Sequence, residues 1–378
     1  MSDKSINNAT DSPRILMFSQ RNSYKPEVWR CSFDEFERMV QQMDSVDMVA
    51  PKPGKYFGLR RRNAQRIGKY SSIALNPGFP RSRLEREYDL FFAVCEKPFE
   101  LLNVNILAGW KDRCARSVCW LPELWIKEIP SSKAPLKILS KFDHVLLNVA
   151  RTVKPLSEAI GKECIYLPAG IDTTAFCPYP YPPERLIDVL SIGRRSEKTH
   201  QALLKMAREE RIFYFHDTLN DLRAYNIQEH RFLMANMAKR SRYFIVNPGK
   251  VDTPDETGGQ TEFGYRYFEG AAAGTILIGD YPDSHEFLQY FHWPDAVIHL
   301  PFGSGKIDEI IKELDMQPAR QERIRKKNVV QSLRNHDWVY RWEAILEIAG
   351  LEPRNELFER KARLMSLSTM VEEAPINT

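Results

Sequence analysis

The stretch Gly258–Asp280, GGQTEFGYRYFEGAAAGTILIGD, indicates the fold class of this chain. A glycine-rich loop leads into a helical segment with Glu269, a helix end at Gly274, and the apolar run Thr275–Gly279, which is typical of a buried parallel strand. The loop would offer unpaired backbone N–H groups at the positive end of a helix dipole, an arrangement that suits phosphate. A plain α/β crossover without a ligand is the alternative interpretation of the same pattern.

Short apolar runs alternate with longer amphipathic segments along the rest of the chain, which predicts βαβ units and parallel sheets. The predicted strands are 14–19, 88–94, 117–121, 144–148, 164–167, 187–193, 212–215, 243–247, 275–278 and 296–300. The predicted helices between them include 198–210, 229–240, 284–290 and 305–314. The fold class is therefore predicted to be α/β.

A length of 378 residues favours two domains. Four prolines between Cys177 and Glu184 exclude a helix or an inner strand there, so we expect a stiff linker. The predicted organisation is a disordered N-terminus (1–12), a first Rossmann-like domain (13–176), the linker (177–184), a second domain (185–335), C-terminal crossover helices (336–365) and a flexible tail (366–378).

Composition excludes several function classes. The chain is 43% hydrophobic and 11% aromatic, which are globular values, and no apolar run reaches the length of a membrane span. The first 11 residues lack the apolar region of a signal peptide, and the six cysteines are scattered without a Cys-x-x-Cys pair. We therefore expect a cytoplasmic protein with reduced thiols. The eight histidines form no ligand pair, so neither a cofactor nor an obligatory metal is predicted.

One segment has a concentrated positive charge. Between residues 52 and 72 there is no acidic residue, and seven are basic: Lys52, Lys55, Arg60, Arg61, Arg62, Arg66 and Lys69. A solvated loop is one interpretation, and a face for an anionic membrane or a phosphorylated acceptor is the other. No zinc, helix-turn-helix or RNA-module signature accompanies the segment, so a nucleic-acid partner is not predicted.

The opening stretch resembles the donor-binding signature of GT-B glycosyltransferases of the retaining, group 1 type. That signature is Glu-x-Phe-Gly, a second Glu, a small-residue run, Gly and an apolar strand, and Phe263-Gly264, Glu269 and the run 270–274 are similar to it. The spelling Arg266-x-Phe-Glu269 is closer to a divergent, spore-maturation-like branch. Thr261 stands where the first Glu of the family is expected, and Glu262 comes one place later.

Two further motifs are similar to the same family. The string Leu167–Pro178, LPAGIDTTAFCP, resembles the one that closes the first domain of these enzymes. After the predicted strand 187–193 come Gly193-Arg194-Arg195 and then Lys198, and the family has a Gly-Arg and a Lys that hold the diphosphate of the donor. Arginine provides a bidentate fork for phosphate and lysine a mobile point charge.

The resemblance implies a GT-B fold, in which two Rossmann-like domains face a cleft and a C-terminal helix crosses back to the first domain. The first domain would bind the acceptor, and the second would bind a nucleotide-sugar donor without a metal. In the family, the second Glu meets the ribose and the first reads sugar hydroxyls. The implied donor-binding residues are Gly193, Arg194, Arg195, Lys198, Gly258, Gly259, Thr261, Glu262, Phe263, Gly264, Arg266 and Glu269.

Three residues are candidates for catalysis. Lys198 and Arg194 would stabilise the departing diphosphate, where negative charge develops. Glu123 follows the predicted strand 117–121, and we expect it to face the cleft. The predicted function is transfer of a sugar, hexosyltransferase-like, to an unknown acceptor: a lipid-linked molecule, a glycan or a small molecule. A nucleotide-sugar epimerase and a catalytically silent binding protein on the same fold are the alternatives.

Overall fold

A computed structural model describes residues 12–23, 27–218 and 223–375. The first half forms a six-stranded parallel sheet with the order β2-β1-β4-β6-β7-β8, and β3 pairs with β5 beside it. Its strands are β1 (Ile15–Phe18), β2 (Val46–Val49), β3 (Ser82–Arg83), β4 (Tyr88–Val94), β5 (Leu107–Ala108), β6 (Cys114–Leu121), β7 (His144–Leu147) and β8 (Cys164–Tyr166).

The second half forms a five-stranded parallel sheet with the order β10-β9-β11-β12-β13. Its strands are β9 (Ile187–Ser191), β10 (Tyr214–His216), β11 (Ser241–Val246), β12 (Ile276–Gly279) and β13 (Ile298–His299). The predicted α/β class with two parallel sheets is confirmed.

Helices cover both sheets. The α-helices are α1 (Cys31–Met43), α2 (Phe57–Tyr70), α3 (Trp110–Arg113), α4 (Lys133–Leu139), α5 (Val153–Ile160), α6 (Thr173–Phe176), α7 (Glu197–Arg208), α8 (Ile227–Lys239), α9 (Pro254–Thr257), α10 (Tyr265–Ala272), α11 (His285–Tyr290), α12 (Ile307–Asp315), α13 (Pro318–Asn335), α14 (Trp338–Ala349) and α15 (Asn355–Glu373). Short 3-10 helices lie at Val28–Arg30, Pro98–Ile106, Ile126–Ser131 and Ala150–Thr152. No described helix is both long and apolar enough to cross a membrane.

The small residues of the opening stretch allow α10 to lie directly on its sheet. A Cβ atom added at Gly270 would lie 2.4 Å from Leu277 Cδ2 and 2.8 Å from Phe244 Cδ1. Gly274 has φ +63°, a left-handed conformation in which glycine is favoured. The helix that contains Glu269 and the strand that follows it are therefore held in close register.

Helix α14 crosses back to the first domain, as the fold class requires. Trp338 Nε1 donates a hydrogen bond of 2.8 Å to Glu35 Oε1 on α1, and Trp342 Nε1 donates one of 3.3 Å to Asp44 Oδ2. Trp338 also packs on Phe36 and Trp120 of the first domain. The aromatic stripe thus joins the two halves of the molecule in one core.

Two expectations about local structure were wrong. Helix α15 continues to Glu373, so residues 366–373 are not a flexible tail, because Leu364 and Val371 are buried in the core. The basic stretch is not a loop, because most of it forms α2, whose Ala64 and Gly68 face inward. Residues 1–11 of the predicted disordered N-terminus and residues 376–378 of the predicted tail lie outside the described residues.

Candidate functional site

In each sheet, the chain adds its second strand on one side of the first and then crosses to add the following strands on the other side. The gap between the strands on either side of this crossing is the switch point of the sheet. In the first sheet it lies between β1 and β4, and in the second between β9 and β11. Open α/β sheets bind ligands beyond the carboxyl ends of the strands at such a switch point. We call the two positions the first crevice and the second crevice.

The carboxyl edges of the two sheets face each other. Lys250, which follows β11, places Nζ 3.1 Å from Oε1 of Glu123, which follows β6. Lys127 Nζ donates a hydrogen bond of 2.5 Å to the carbonyl oxygen of Asp255. Both crevices therefore open towards one interdomain cleft.

The second crevice gathers the predicted diphosphate-binding residues. Gly193, Arg194 and Arg195 follow β9, and the side chain of Asn247, which follows β11, donates a hydrogen bond of 3.4 Å to the Arg194 carbonyl. Gly193 has φ +91°, and a Cβ atom there would lie 3.9 Å from Arg266 Nε. The segment after β9 and the first turn of α10 thus meet at this point.

The cations of the second crevice have exchangeable partners. Arg194 Nε lies 2.8 Å from Asp252 Oδ1, and these side chains are 43% and 42% exposed. Arg195 pairs with Asp217, and Lys198 is exposed with no described carboxylate within 4.0 Å of its ammonium group. Exposed ion pairs contribute only about 0–1 kcal/mol, so a phosphate could replace these carboxylates at low cost.

Glu269 belongs to a buried ion network. Its side chain is 1% exposed, and its two oxygens accept hydrogen bonds of 2.5 Å from Arg231 Nη1 and Arg266 Nη1. Burial alone would raise the pKa of Glu269, but the Arg266 and Arg231 guanidinium groups outweigh it and lower the pKa to about 2. Both carboxylate oxygens are thus occupied by arginines, and contact with a ribose stays a prediction.

Arg231 extends this network into the first domain. Its Nε donates a hydrogen bond of 2.7 Å to Glu35 Oε2 on α1, while its Nη1 binds Glu269 on α10. Glu35 also accepts from the Asp172 backbone and from Trp338. The donor-side helix is therefore tied through one arginine to the first domain and to the crossover helix.

The glycine-rich loop packs partly against the first domain. Gln260 Oε1 accepts a hydrogen bond of 2.8 Å from the Ile126 backbone, and Glu262 Oε2 accepts one of 2.9 Å from Ala150. Burial raises the pKa of Glu262 to about 7. Since this carboxyl group joins the two domains, the structure directs it to an interdomain contact instead of the second crevice.

The other predicted loop residues have different environments. Gly258 (φ +69°) lies against Ile126, and Gly259 (φ +77°) and Gly264 have open space around their α-carbons. Thr261 is half-buried, and Phe263 is buried among aromatic rings of the second domain, including Tyr267, Phe287 and Phe291. Gly258 and Gly259 are exposed and Gly264 is half-buried, so the backbone at these glycines is the accessible part of this loop.

Glu123 lies at the interdomain cleft, the position predicted from the sequence, where its carboxylate contacts Lys250 of the second domain. Burial alone would raise its pKa, but Lys97 and Lys250 together lower it, so the carboxylate is held ionised. Its Oε1 also accepts a hydrogen bond of 3.3 Å from Trp125 Nε1. A catalytic role for Glu123 stays a prediction.

Sequence reasoning missed Lys250 and the network residues Arg231 and Glu35. Lys250 follows β11 by four residues, and the strand-end rule that selected Arg194 applies equally to it. No comparable signal exists for Arg231 and Glu35, which lie on helices from different domains and meet only in the folded chain.

Comparison with known proteins agrees with this architecture. Residues 201–347 match the family model of glycosyl transferase-like proteins. An alpha-glucosyltransferase in complex with UDP-glucose and DNA containing an abasic site superimposes with a TM-score of 0.52 at 13% identity, over 90% of this chain and 100% of that one. An alpha-glucosyltransferase in complex with UDP gives a TM-score of 0.51 at 12% identity over the same shares of both chains. At such identities the likeness establishes the fold, and no curated protein matched the sequence significantly.

Proposed function

We propose that this chain, a GT-B glycosyltransferase by fold and by the family of its second domain, transfers a sugar from a nucleotide-diphosphate sugar to an acceptor. The observation that supports this most is the second crevice, where Arg194, Arg195 and Lys198 gather at the switch point of the second sheet. The relatives named above were solved with UDP or UDP-glucose, which agrees with a nucleotide-sugar donor.

The reaction breaks the bond between the anomeric carbon and the diphosphate oxygen and forms one to an acceptor hydroxyl oxygen. The diphosphate departs with the bonding electron pair, and the hydroxyl proton passes to an oxygen of the departing diphosphate. Negative charge therefore grows on the diphosphate in the transition state. Lys198 and Arg194 would stabilise that charge, because preorganised cations at a developing charge lower the barrier most.

We further propose that the reaction needs no divalent metal and retains the anomeric configuration. The support for metal independence is that, among the described residues, five cationic side chains follow β9 or β11 or lie in the first turn of α10: Arg194, Arg195, Lys198, Lys250 and Arg266. They would take the place of a metal at the leaving oxygen. The proposal of retention rests on the resemblance of residues 258–280 to the retaining group.

Contacts between the facing edges would exclude water from the reacting centre. The ion pair between Lys250 and Glu123 and the hydrogen bond from Ala150 to Glu262 join the two domains around the cleft. Water exclusion strengthens electrostatic interactions and limits hydrolysis of the donor. These contacts support a transferase that works in a closed state.

We also propose that α2 brings the protein to an anionic membrane surface. Arg60, Arg62, Arg66 and Lys69 are exposed on this helix, and the apolar side chains of Leu59 and Ile67 are exposed beside them. A basic helix with exposed apolar residues suits the interface of an anionic bilayer. The same face could instead meet a phosphorylated acceptor, and vesicle binding distinguishes these possibilities.

A thermal-shift screen against nucleoside diphosphates and their sugars tests the donor assignment. A ligand at about a hundredfold over its Kd stabilises the folded state by about 2.7 kcal/mol. We expect one nucleoside diphosphate to raise the Tm, and Lys198→Ala to reduce the shift. Lys205→Ala is the matched control, since Lys205 lies on the same helix and is 76% exposed.

The products formed from the donor alone distinguish a glycosyltransferase from an epimerase and from a silent binding protein. A transferase hydrolyses its donor slowly without acceptor, an epimerase returns an isomeric nucleotide sugar, and a silent binding protein leaves the donor unchanged. Release of nucleoside diphosphate, followed by chromatography of the nucleotide sugars, identifies which of the three occurs.

A further inference from the structure

A large pocket lies on the side of the second domain that faces away from the cleft. Its lining residue Arg185 precedes β9 and Gly274 precedes β12, so both lie at the amino ends of strands whose carboxyl ends face the cleft. The linker 177–184, α13 and α15 supply the other walls. The volume is about 990 Å³, which is within the range of small-molecule sites. We call this site the linker pocket.

Much of the lining of the linker pocket is apolar. Pro178 and Val329 are buried, and Tyr179 is half-buried. Met370 of α15 is 45% exposed, so part of its side chain is open to a ligand. Binding of an apolar group would remove this surface from water, which favours a ligand with an apolar body.

Arg185 brings a positive charge to this pocket. Its Nη1 donates a hydrogen bond of 2.5 Å to the Ser241 carbonyl, and its Nη2 donates one of 3.1 Å to the Ala273 carbonyl. No carboxylate of the described residues lies within 4.0 Å of its guanidinium group. Burial and the charge of Arg325 lower the pKa of Arg185 to about 9, so it stays positive at neutral pH.

Arg325 is a second cation with incomplete partners. Its Nη2 donates a hydrogen bond of 2.7 Å to Gln321 Oε1, and its Nε has no acceptor among the described residues. The carboxylate of Glu322 lies 3.9 Å from its Nη1, which is too far for a hydrogen bond. Burial lowers the pKa of Arg325, as expected for a guanidinium group that its surroundings compensate poorly.

The balance of charge in the linker pocket favours one negative charge on the ligand. The lining has two carboxyl side chains, Glu322 and Glu373, and two arginines, so its formal sum is zero. Glu322 lies beside Arg325 and offsets that cation, whereas Glu373 is exposed, where water screens its charge. Arg185 therefore keeps a positive charge that the protein itself does not neutralise.

We propose that the linker pocket binds a small organic monoanion, with its carboxylate or phosphodiester group on Arg185 and Arg325 and its apolar body against Tyr179 and Met370. Arginine presents paired N–H donors that match either acid group. The site lies at the opposite edge of the second sheet from the crevice assigned to the donor. The inference therefore goes beyond the proposed glycosyl transfer and does not depend on it.

Matched pairs of probes test the class of ligand. 4-Phenylbutyrate and dibutyl phosphate each combine one negative charge with an apolar body. 4-Phenylbutyramide and tributyl phosphate are their neutral counterparts, and acetate has the charge without the body. Titration calorimetry of the full chain is carried out with UDP in excess, which occupies the second crevice.

We expect at least one of the two apolar anions to bind about tenfold more tightly than its neutral counterpart and than acetate. The anion that binds more tightly identifies the acid group, carboxylate or phosphodiester. Equal affinity of each anion and its neutral counterpart, or no binding of either anion, would overturn the inference.

Two variants locate the binding. Arg325→Gln removes one cation, and Thr369→Trp fills the pocket from an exposed lining position of α15. Each should weaken binding of the preferred anion about tenfold or more. Arg363→Gln is the control, since Arg363 is an exposed arginine of α15 outside the lining, and it should bind like the wild type. Thermal unfolding of each variant verifies that it is folded, and Thr369→Trp keeps the test valid if Arg325→Gln is unstable.

The outcomes separate this inference from the proposed function. A wild-type protein that binds no nucleoside diphosphate and hydrolyses no nucleotide sugar would contradict the proposed function alone, and the probes would still test the linker pocket. Anion binding that is unchanged in Thr369→Trp and in folded Arg325→Gln would overturn the linker pocket alone.

Discussion

The two crevices have the same backbone design and opposite chemistry. In the first sheet the chain passes from β1 to β2 on one side and then crosses to β4 on the other. In the second sheet it passes from β9 to β10 and then crosses to β11. The second crevice has Arg194, Arg195 and Lys198 after β9, whereas the first has the buried Glu96 after β4 and the buried Asp34 and Glu37 on α1. The topology thus determines where a ligand can bind, and the residues that surround the strand ends, including those on α1, determine the charge of each crevice.

The second crevice has ion pairs of two kinds, which differ in burial. The Arg194–Asp252 pair in the second crevice is half-exposed, whereas the Arg231–Glu269 pair behind it is buried. A half-exposed pair can exchange its carboxylate for a ligand. A buried pair cannot, because removing one partner leaves an uncompensated charge. The predictions that follow test this difference between replaceable and fixed charges, from the largest effect to the smallest.

Removing the buried arginine should have the largest effect. Arg231→Met leaves Glu35 and Glu269 buried without their shared cation, and breaking such a pair costs about 3–5 kcal/mol of unfolding free energy. The control is Arg211→Ala, whose pairs with Asp308 and Glu209 are exposed and should contribute about 0–1 kcal/mol. Urea unfolding of both variants gives the comparison. Equal losses of unfolding free energy in the two variants would contradict the prediction, because the buried network would then be no stronger than an exposed ion pair.

Removing the exposed lysine should affect catalysis and leave stability unchanged. Lys198→Ala should reduce kcat about a hundredfold, the range seen when one preorganised stabiliser of a developing charge is lost. Lys205→Ala should behave like the wild type, and EDTA should have little effect. The result that contradicts this is loss of activity with EDTA, recovery with manganese, and a Lys198→Ala enzyme near wild type.

The positive face of α2 should matter for membrane binding alone. Replacing Arg60 and Arg62 by Ser should weaken binding to vesicles that contain an anionic lipid by about 2 kcal/mol, since each basic residue contributes about 1 kcal/mol near such a surface. Donor hydrolysis should not change, because α2 forms no part of either crevice. Cosedimentation at low salt measures the binding, and a wild-type protein that stays in the supernatant would end the membrane proposal.

The smallest effect is a difference in pH dependence. Burial raises the pKa of Glu96 to about 8, so between the unfolded value near 4.5 and about 8 the native state holds a proton that the unfolded chain releases. The contribution of Glu96 to the free energy of unfolding therefore falls as pH rises through that window, by at most about 1.4 kcal/mol for each pH unit. Glu269, with its pKa lowered to about 2, contributes the opposite slope below about pH 4.5.

A non-titrating variant isolates the Glu96 contribution. Urea unfolding of the wild type and of Glu96→Gln at pH 6 and pH 7 should show a smaller loss of stability in the variant. Arg30 and Glu100 face Glu96 in both proteins, so their effects cancel in the difference. Identical slopes would mean that Glu96 is already ionised at pH 6.

Sequence patterns predicted the second sheet better than the surroundings of the first. Each of the ten predicted strands is present, with ends that shift by a few residues. The strand β2 was missed, because Val46–Val49 is short and half-buried, so its apolar signal is weak. Helix α1 was also missed, although it supplies Asp34 and Glu37 to the first crevice and Glu35 to the buried network.

By itself, the sequence determined the α/β class, the two parallel sheets and the position of the cations after β9. These features depend on local patterns: apolar runs set the strands, and residues that follow a strand necessarily lie at its carboxyl end. Only the tertiary structure decided that Glu262 joins the domains, that Glu269 is bound by Arg231, and that Gln20, Glu96 and Ile227 form one pocket. Those residues are 38 to 207 positions apart along the chain. The physical reason is that βαβ crossovers and domain packing bring distant segments together.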